Sequence, residues 1–207
     1  MSPAGWTDTL EHHLGRWAVP YLTRGLVAMN GGAWLLNLAS PGFTSILKLE
    51  PSLVVQGEFW RLITFLFVPP SSAHPIFLLL FLWFLWSIGD ALEETWGSFH
   101  LNLYLLIGVL AVIATAFLVP SAPVNPFYLH NSLFLAFATT LPDQKVFFFP
   151  IPIPLSVRWV AAISSGLLFL PALFEPALLP GILAGLAGYL AFYFPPFVGG
   201  LRDRFRR

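Results

Sequence analysis

The fold is decided by two stretches of the chain, GEFWR at residues 57–61 and HPIFLLLFLWFLWSIGDALEETWGS at residues 74–98. The second stretch holds an apolar run close to the length that a helix needs to cross the hydrocarbon core of a bilayer, about 20 residues. Charged side chains stand before this run and at its end, among them Arg61 and Asp90. Because a charge beside hydrocarbon is costly, each must have a partner or lie at the membrane face.

The composition indicates a membrane protein. Of the 207 residues, 57% are hydrophobic and 10% are charged, and the mean hydropathy is +0.77, which exceeds what one soluble core could bury. The formal net charge is zero, so there is no electrostatic case for nucleic acid binding. Cysteine is absent from the sequence, which excludes disulfides, thiolate metal sites and cysteine nucleophiles. We predict a polytopic membrane protein of one domain that needs no cofactor.

Six apolar segments are candidates for membrane spans and predict an all-α, six-helix bundle over residues 21–197. The segments are 22–38, 75–92, 101–119, 127–141, 157–173 and 177–194. The fourth is short and contains Ser132, Thr139 and Thr140, so protein rather than lipid should surround it. The Pro-rich run 150–154 cannot be helical and joins the fourth span to the fifth.

The segments around the spans should lie at the membrane surface. In residues 1–20, tryptophan and leucine recur at helical spacing, which predicts an interfacial amphipathic helix. His12 and His13 are adjacent there, but no third ligand accompanies them, so we expect no metal site. The loop between the first two spans is apolar and broken by proline and glycine, which predicts a half-embedded segment. Residues 198–207 form a basic tail.

The distribution of Lys and Arg predicts the orientation. With six spans, both termini lie on one side of the membrane, and that side holds eight of the ten Lys and Arg residues. The opposite side holds only Lys48 and Arg61. The positive-inside rule then places both termini in the cytoplasm.

Several motifs follow one another in a fixed order along the chain. They are Trp60-Arg61 in the first loop, His74 at the start of the second span, Leu82-Trp83 within it, Glu93-Glu94 and Gly97-Ser98 before the third span, residues 136–143, and Gly181 with Gly185 in the sixth span. This order resembles the rhomboid family of intramembrane proteases. The resemblance implies the rhomboid-like six-helix fold, and its likeness to bacterial members up to residue 159 implies a bacterial inner membrane.

The same resemblance implies that the protease chemistry is lost. Rhomboid proteases use a serine within Gly-x-Ser-Gly at the start of the fourth span and a histidine base in the sixth. A histidine and an asparagine in the second span stabilise the oxyanion. Here the nucleophile position falls near Phe127, the base position near Leu178 and the asparagine position at Leu78, while His74 is kept. The sequence contains no Gly-x-Ser-Gly, and no histidine follows residue 130, so no catalytic residue is expected.

Ser132 and Ser121 are the candidates for a displaced nucleophile. His130 precedes Ser132 by two residues, but side chains two apart on a helix do not face each other. Ser132, Ala136 and Thr140 instead recur every four residues, which predicts a stripe of small residues for close helix packing. A second such stripe, of glycine and alanine, lies in the sixth span.

Residues of the first loop should have structural roles. We expect His74 to hydrogen-bond the loop backbone, Arg61 to bind loop carbonyls or Glu58, and Trp60 to lie at the interface.

Polar residues elsewhere should also stabilise the bundle. Glu93 and Glu94 should cap the turn before the third span, and Gly97 belongs to the same turn. Asn30 and Asn37 share one face of the first span and should form interhelical hydrogen bonds.

We therefore expect a catalytically inactive rhomboid-like protein that binds transmembrane segments of client proteins without cleaving them. By resemblance to inactive relatives, the client would approach laterally, between the second and fifth spans. The alternatives are an active intramembrane serine endopeptidase using Ser132 or Ser121, a small-solute transporter with Asn30, Asn37 and Thr139 along its path, and a structural membrane subunit. The expected partners are the lipid bilayer and client proteins, and no nucleic acid.

Overall fold

The computed structural model describes residues 6–70, 74–122, 125–148 and 151–194. Its strands β1 Lys145–Phe148 and β2 Ile151–Ser156 form an antiparallel hairpin. Its helices are α1 Trp6–Leu14, α2 Leu22–Ala39, α3 Phe43–Leu47, α4 Pro51–Val55, α5 Arg61–Thr64, α6 Pro75–Trp96, α7 Ser98–Leu118, α8 Pro126–Thr140, α9 Val157–Phe169, α10 Leu179–Gly185 and α11 Ala187–Phe194. The basic tail predicted over residues 198–207 lies outside the described residues.

All six predicted spans contain helix, but they differ in whether they can cross a membrane alone. α6 and α7, of 22 and 21 residues, are long and apolar enough to do so. α10 and α11, with the 3-10 turn that precedes α10, form a third candidate only when taken together, because the chain bends by 61° between them. The structure thus has two clear apolar spans within its described ranges, and the six-span topology stays a prediction.

The two ends of the predicted bundle also contain regular structure. α1 lies where the sequence predicts an amphipathic helix, but side chains are described only from Leu10 onward, so its interfacial character stays a prediction. The Pro-rich run lies in β2, where Phe147 pairs with Pro154 and the register shifts before Phe148. A two-stranded hairpin has a free edge on each strand, and there the missing N–H of proline is tolerated. This hairpin is the short β element that the all-α expectation did not include.

α8 lies at the centre of the bundle. It packs against α6, α7, α9 and α10, and Ser132, Leu133 and Ala136 have no exposed surface. The helix begins where the Asn125 side chain accepts a hydrogen bond from the Phe127 N–H at 2.9 Å, an arrangement typical of helix N-caps. The burial agrees with the expectation that protein surrounds this short, partly polar helix.

Glycine allows the last two helices to approach α7 and α8 closely. A Cβ atom at Gly185 would lie 2.9 Å from the carbonyl carbon of Tyr128 and 3.1 Å from the nitrogen of Leu129, both on α8. A Cβ atom at Gly188 would lie 2.7 Å from the carbonyl oxygen of Tyr104 on α7. These distances are shorter than normal contacts, so the helix backbones meet only because the side chains are absent.

Asp90 and Glu93 at the end of α6 bind polar groups at the starts of α2 and α7. Arg24 donates two hydrogen bonds to the Asp90 carboxylate, at 2.9 and 3.0 Å. The Glu93 carboxylate accepts from the Tyr21 N–H at 2.9 Å and from the Ser98 hydroxyl at 2.6 Å. A single carboxylate therefore lies at the N-termini of two helices, where negative charge is favoured, and bonds the backbone of one and a side chain of the other.

The close contact at Gly185 generates a prediction. Gly185→Ala should destabilise the protein by about 1–3 kcal/mol, because the added methyl group overpacks against the α8 backbone. Gly166→Ala on α9 is the matched control, since its Cβ would meet nothing within 4 Å. That variant should be neutral or stabilised by up to ~1 kcal/mol, because alanine favours the helix. Reversible unfolding in detergent micelles measures both, and equal free energies of unfolding for the two variants would contradict the packing.

Candidate functional site at the centre of the bundle

The hydroxyl of Ser132 is engaged with Tyr104, a residue of α7. The Tyr104 hydroxyl donates to the Ser132 carbonyl oxygen at 2.8 Å and is also hydrogen-bonded to the Ser132 side chain. Both residues are fully buried. Ser132 is therefore held in a helix–helix contact and points neither at His74 nor at His130.

His130 faces a different neighbour from Ser132. It is buried, and its ring packs edge to face against Phe81 of α6, with 5.3 Å between the ring centroids. The two-residue spacing thus separates the serine and the histidine, as helical geometry requires.

The positions that the rhomboid resemblance assigns to catalysis hold apolar side chains in three different settings. Phe127 is 43% exposed in the first turn of α8, and Leu78 is buried in α6. Leu178 lies in the turn before α10 and packs on a cluster that includes Leu168 and Ile182. None of the three positions offers a polar side-chain atom.

His74 and Ser121 lie at the surface. His74 immediately precedes α6, and its ring contacts that of Phe77 at 6.3 Å between centroids. Within the described part of the chain its ring makes no hydrogen bond, so the expected bond to the loop backbone is not seen there. Ser121 is exposed in the turn after α7.

Arg61 fastens the first loop. The residue is only 5% exposed, and its Nε donates to Glu58 at 2.6 Å. One of its terminal nitrogens donates to the carbonyl oxygens of Ser45 and Lys48, at 2.9 and 2.8 Å. Arg61 thereby joins the end of α3 to the start of α5, while the neighbouring Trp60 is half exposed.

The asparagines of α2 bind the first loop rather than another spanning helix. The Asn30 amide donates to the carbonyl oxygens of Leu26 at 2.9 Å and of Leu66 at 3.0 Å. The Asn37 side-chain oxygen accepts from the backbone and the hydroxyl of Thr44, both at 3.2 Å. The expected interhelical bonds are therefore replaced by bonds that hold the loop against α2.

Two tyrosines of α11 were not singled out from the sequence. Tyr189 is hydrogen-bonded to the Thr139 hydroxyl at 3.0 Å, and Tyr193 to the Thr140 hydroxyl at 2.7 Å. The available signal was their four-residue spacing, which places both on one face of a helix. They close the C-terminal end of α8 against the last helix.

The remaining motif residues lie at turns and close contacts. Glu93 accepts hydrogen bonds from the backbone at the start of α2 and from the Ser98 hydroxyl at the start of α7, whereas Glu94 is exposed. Gly97 separates α6 from α7 with a φ of +82°, a conformation that favours glycine. Gly181 and Gly185 are both buried in α10.

Comparison with known proteins places the whole bundle in one family. Residues 21–197 match the family described as "Eukaryotic integral membrane protein (DUF1751)". The chain belongs to this family. A second match is 42% identical over 67 residues to "Rhomboid protease GluP" of Bacillus subtilis (strain 168). It covers 32% of this DUF1751 chain but only 13% of that protease.

The two matches together make this DUF1751 member a rhomboid-like integral membrane protein. No solved structure matches it. The family is described as eukaryotic, so the expectation of a bacterial inner membrane receives no support from it.

The contact between Tyr104 and Ser132 generates a prediction. Tyr104→Phe should lower the free energy of unfolding by about 0.5–1.5 kcal/mol, because a buried hydrogen bond is lost. Adding Ser132→Ala should cost less in the Tyr104→Phe background than in the wild type, since the two residues share the bond. Tyr128→Phe is the control, as its hydroxyl makes no hydrogen bond within the described residues. Additive effects in this double-mutant cycle would contradict the contact.

The role of Arg61 generates a second prediction. Arg61→Ala should release the first loop, because hydrogen bonds from a charged donor are worth about 1.5–3 kcal/mol. Limited proteolysis in micelles should then cleave residues 41–70 faster than in the wild type. Arg158→Ala removes the same charge from an exposed position on α9 and should leave the cleavage rate unchanged. Unaltered cleavage in Arg61→Ala would show that the loop is held by other contacts.

Proposed function

We propose that this rhomboid-like protein is catalytically inactive and binds transmembrane segments of client proteins without cleaving them. The single observation that carries the proposal is the environment of Ser132, which is fully buried and hydrogen-bonded to Tyr104. A serine nucleophile needs a base within hydrogen-bond reach, about 2.6–3.2 Å, and a site where the reacting carbonyl can approach. Ser132 has a tyrosine as its partner and no open side.

The apolar residues near the starts of α6, α8 and α10 support the same conclusion. With Phe127, Leu178 and Leu78 at the positions assigned by resemblance, there is neither a nucleophile nor an oxyanion donor in those places. His74 and Ser121 are exposed, but they lie in separate segments. The rival hypothesis of an active serine protease depends either on Ser132, whose surroundings oppose it, or on the exposed Ser121.

The packing of α6, α8 and α9 supports lateral access for a client helix. α6 and α9 each pack against α8, but they share few direct contacts with each other within the described ranges. Ile163 and Leu167 present an exposed apolar face on α9. A client helix could bind between α6 and α9 by shape and hydrogen bonding, the forces that associate helices in a bilayer.

The transporter hypothesis loses support from the hydrogen bonds of the three residues on which it rests. Asn30 and Asn37 hold the first loop, and Thr139 bonds to the Leu135 carbonyl oxygen and to Tyr189. Each side chain is used in its own packing contact, so the three do not form one polar path.

For the membrane location, we propose a bundle with both termini in the cytoplasm. The asymmetry of Lys and Arg supports this orientation. The family description favours a eukaryotic membrane over the bacterial inner membrane.

The absence of catalysis is tested with a fluorophosphonate probe and a transmembrane-substrate cleavage assay on the purified protein. We expect neither labelling nor cleavage, because no serine within the described ranges is hydrogen-bonded to a histidine. A known rhomboid protease in the same membrane mimic provides the positive control. Labelling that disappears in Ser132→Ala or Ser121→Ala would establish the active-protease alternative instead.

Client binding is tested by photocrosslinking in nanodiscs that contain a single-pass helix. A photoreactive residue at Leu167 on α9 should crosslink to that helix several times more than one at Leu110 on α7. The two positions are similarly exposed, at 61% and 55%, but only Leu167 lies on the proposed access route. Equal yields at the two positions would contradict a preferred side for the client.

A further inference from the structure

An apolar groove runs between α2 and α7 and has a volume of about 540 Å³. One wall is the stripe Leu22, Gly25, Leu26 and Met29, and the facing wall is the stripe Asn102, Leu105, Leu106 and Val109. Both stripes follow the i, i+3, i+4, i+7 spacing of a single helix face. The volume is within the range of about 300–1,000 Å³ that is typical of ligand sites.

The groove exists because α2 and α7 pack against other helices instead of each other. α2 packs on α6, while α7 packs on α6, α8 and α10. Gly25 widens the gap, since nothing lies within 4 Å of a Cβ placed there. Phe67, on the 3-10 turn after α5, contributes to the lining of the groove from the first loop. The two helical walls run alongside each other for about 10 Å, given a rise of 1.5 Å per residue.

The two ends of the groove differ in polarity. Towards the N-termini of α2 and α7 lie Trp17 and Asn102, whose amide donates to the Val19 carbonyl oxygen at 3.0 Å. Deeper positions are lined by aliphatic and aromatic side chains. Such a gradient matches a molecule with a polar head and a hydrocarbon chain, entering with its chain first.

A cation stands at the polar end. The guanidinium of Arg16 lies 5.5 Å from the centre of the Trp17 ring, and Trp17 lines the groove. Arg16 is exposed and pairs with no acidic residue among the side chains described from Leu10 onward. Tryptophan beside a basic residue is the arrangement that anchors proteins at lipid headgroups. The proposed orientation places this end at the cytoplasmic leaflet, which carries the anionic lipids.

We infer that the groove binds one acyl chain of an anionic phospholipid, with its phosphate at Arg16. Charge complementarity selects a lipid with a net negative headgroup over a zwitterionic one. The apolar walls of the groove exclude a polar solute, and the guanidinium of Arg16 at its polar end suits one phosphate. This site is separate from the proposed client route between α6 and α9, so either proposal can fail without the other.

The test uses the full-length protein in phosphatidylcholine nanodiscs that contain a small fraction of diazirine-labelled phosphatidylglycerol. After photolysis, peptides covering residues 17–29 and 102–109 should carry adducts. A matched experiment with diazirine-labelled phosphatidylcholine should give about fivefold fewer adducts, the effect of one basic residue near the membrane surface. Arg16→Gln should reduce phosphatidylglycerol labelling to the phosphatidylcholine level.

A pair of glycine variants separates the groove from general lipid contact. Gly25→Leu fills the groove and should reduce the adducts several-fold. Gly32→Leu is the matched control on the same helix, because a Cβ there also meets nothing within 4 Å and Gly32 does not line the groove. Both variants should unfold at or above the wild-type temperature, since leucine favours the helix over glycine.

Three outcomes would overturn the inference. Equal labelling by the two lipids in the wild type would mean that the groove holds unselected bulk lipid. Equal adduct yields in Gly25→Leu and Gly32→Leu would place the adducts outside the groove. Loss of phosphatidylglycerol adducts on addition of a single-pass helix, with crosslinks to that helix at residues 17–29, would identify a protein segment as the occupant.

Discussion

Hydrocarbon offers no hydrogen-bond partner, so every polar side chain inside a membrane bundle depends on a partner that the protein itself supplies. In α8 that partner is repeatedly a tyrosine hydroxyl. The pairs are Ser132 with Tyr104, Thr139 with Tyr189, and Thr140 with Tyr193. These contacts join α8 to α7 near its middle and to α11 at its end. They also give the fully buried Ser132 a structural role, because its hydroxyl holds α8 against α7.

The same constraint organises the segment between α2 and α6. The short helices of that loop leave backbone N–H and carbonyl groups without partners inside those helices. Arg61 and Asn30 donate to carbonyl oxygens of the loop, and the Asn37 side-chain oxygen accepts from the Thr44 N–H. A charged or amide side chain near hydrocarbon therefore need not mark catalysis or transport, because holding irregular backbone is sufficient reason for its presence.

The starts of several helices could be predicted from the sequence because local signals are strong, whereas the bend between α10 and α11 could not. α6 and α8 begin at Pro75 and Pro126, at or next to the predicted starts, since proline is favoured at the first position of a helix. The partners of Ser132 and Asn30 could not be predicted in this way. They depend on how far α7 and α8 rotate about their axes and on the path of the loop, neither of which leaves a periodic signal.

The strand β2 could have been predicted from the sequence. The alternation in Ile-Pro-Ile-Pro-Leu has the two-residue period of a strand.

The contacts that Glu93 and Asp90 make with the start of α2 have a consequence for the order in which they can form during synthesis. α2 is synthesised well before α6, yet the N–H of Tyr21 and the guanidinium of Arg24 find their acceptors 72 and 66 residues later in the chain. These hydrogen bonds between the start of α2 and the end of α6 can therefore form only after Glu93 and Asp90 have been synthesised. The N-terminal hydrogen bonds of α2 are thus completed by a helix that the chain makes later, although α2 itself is synthesised first of the two.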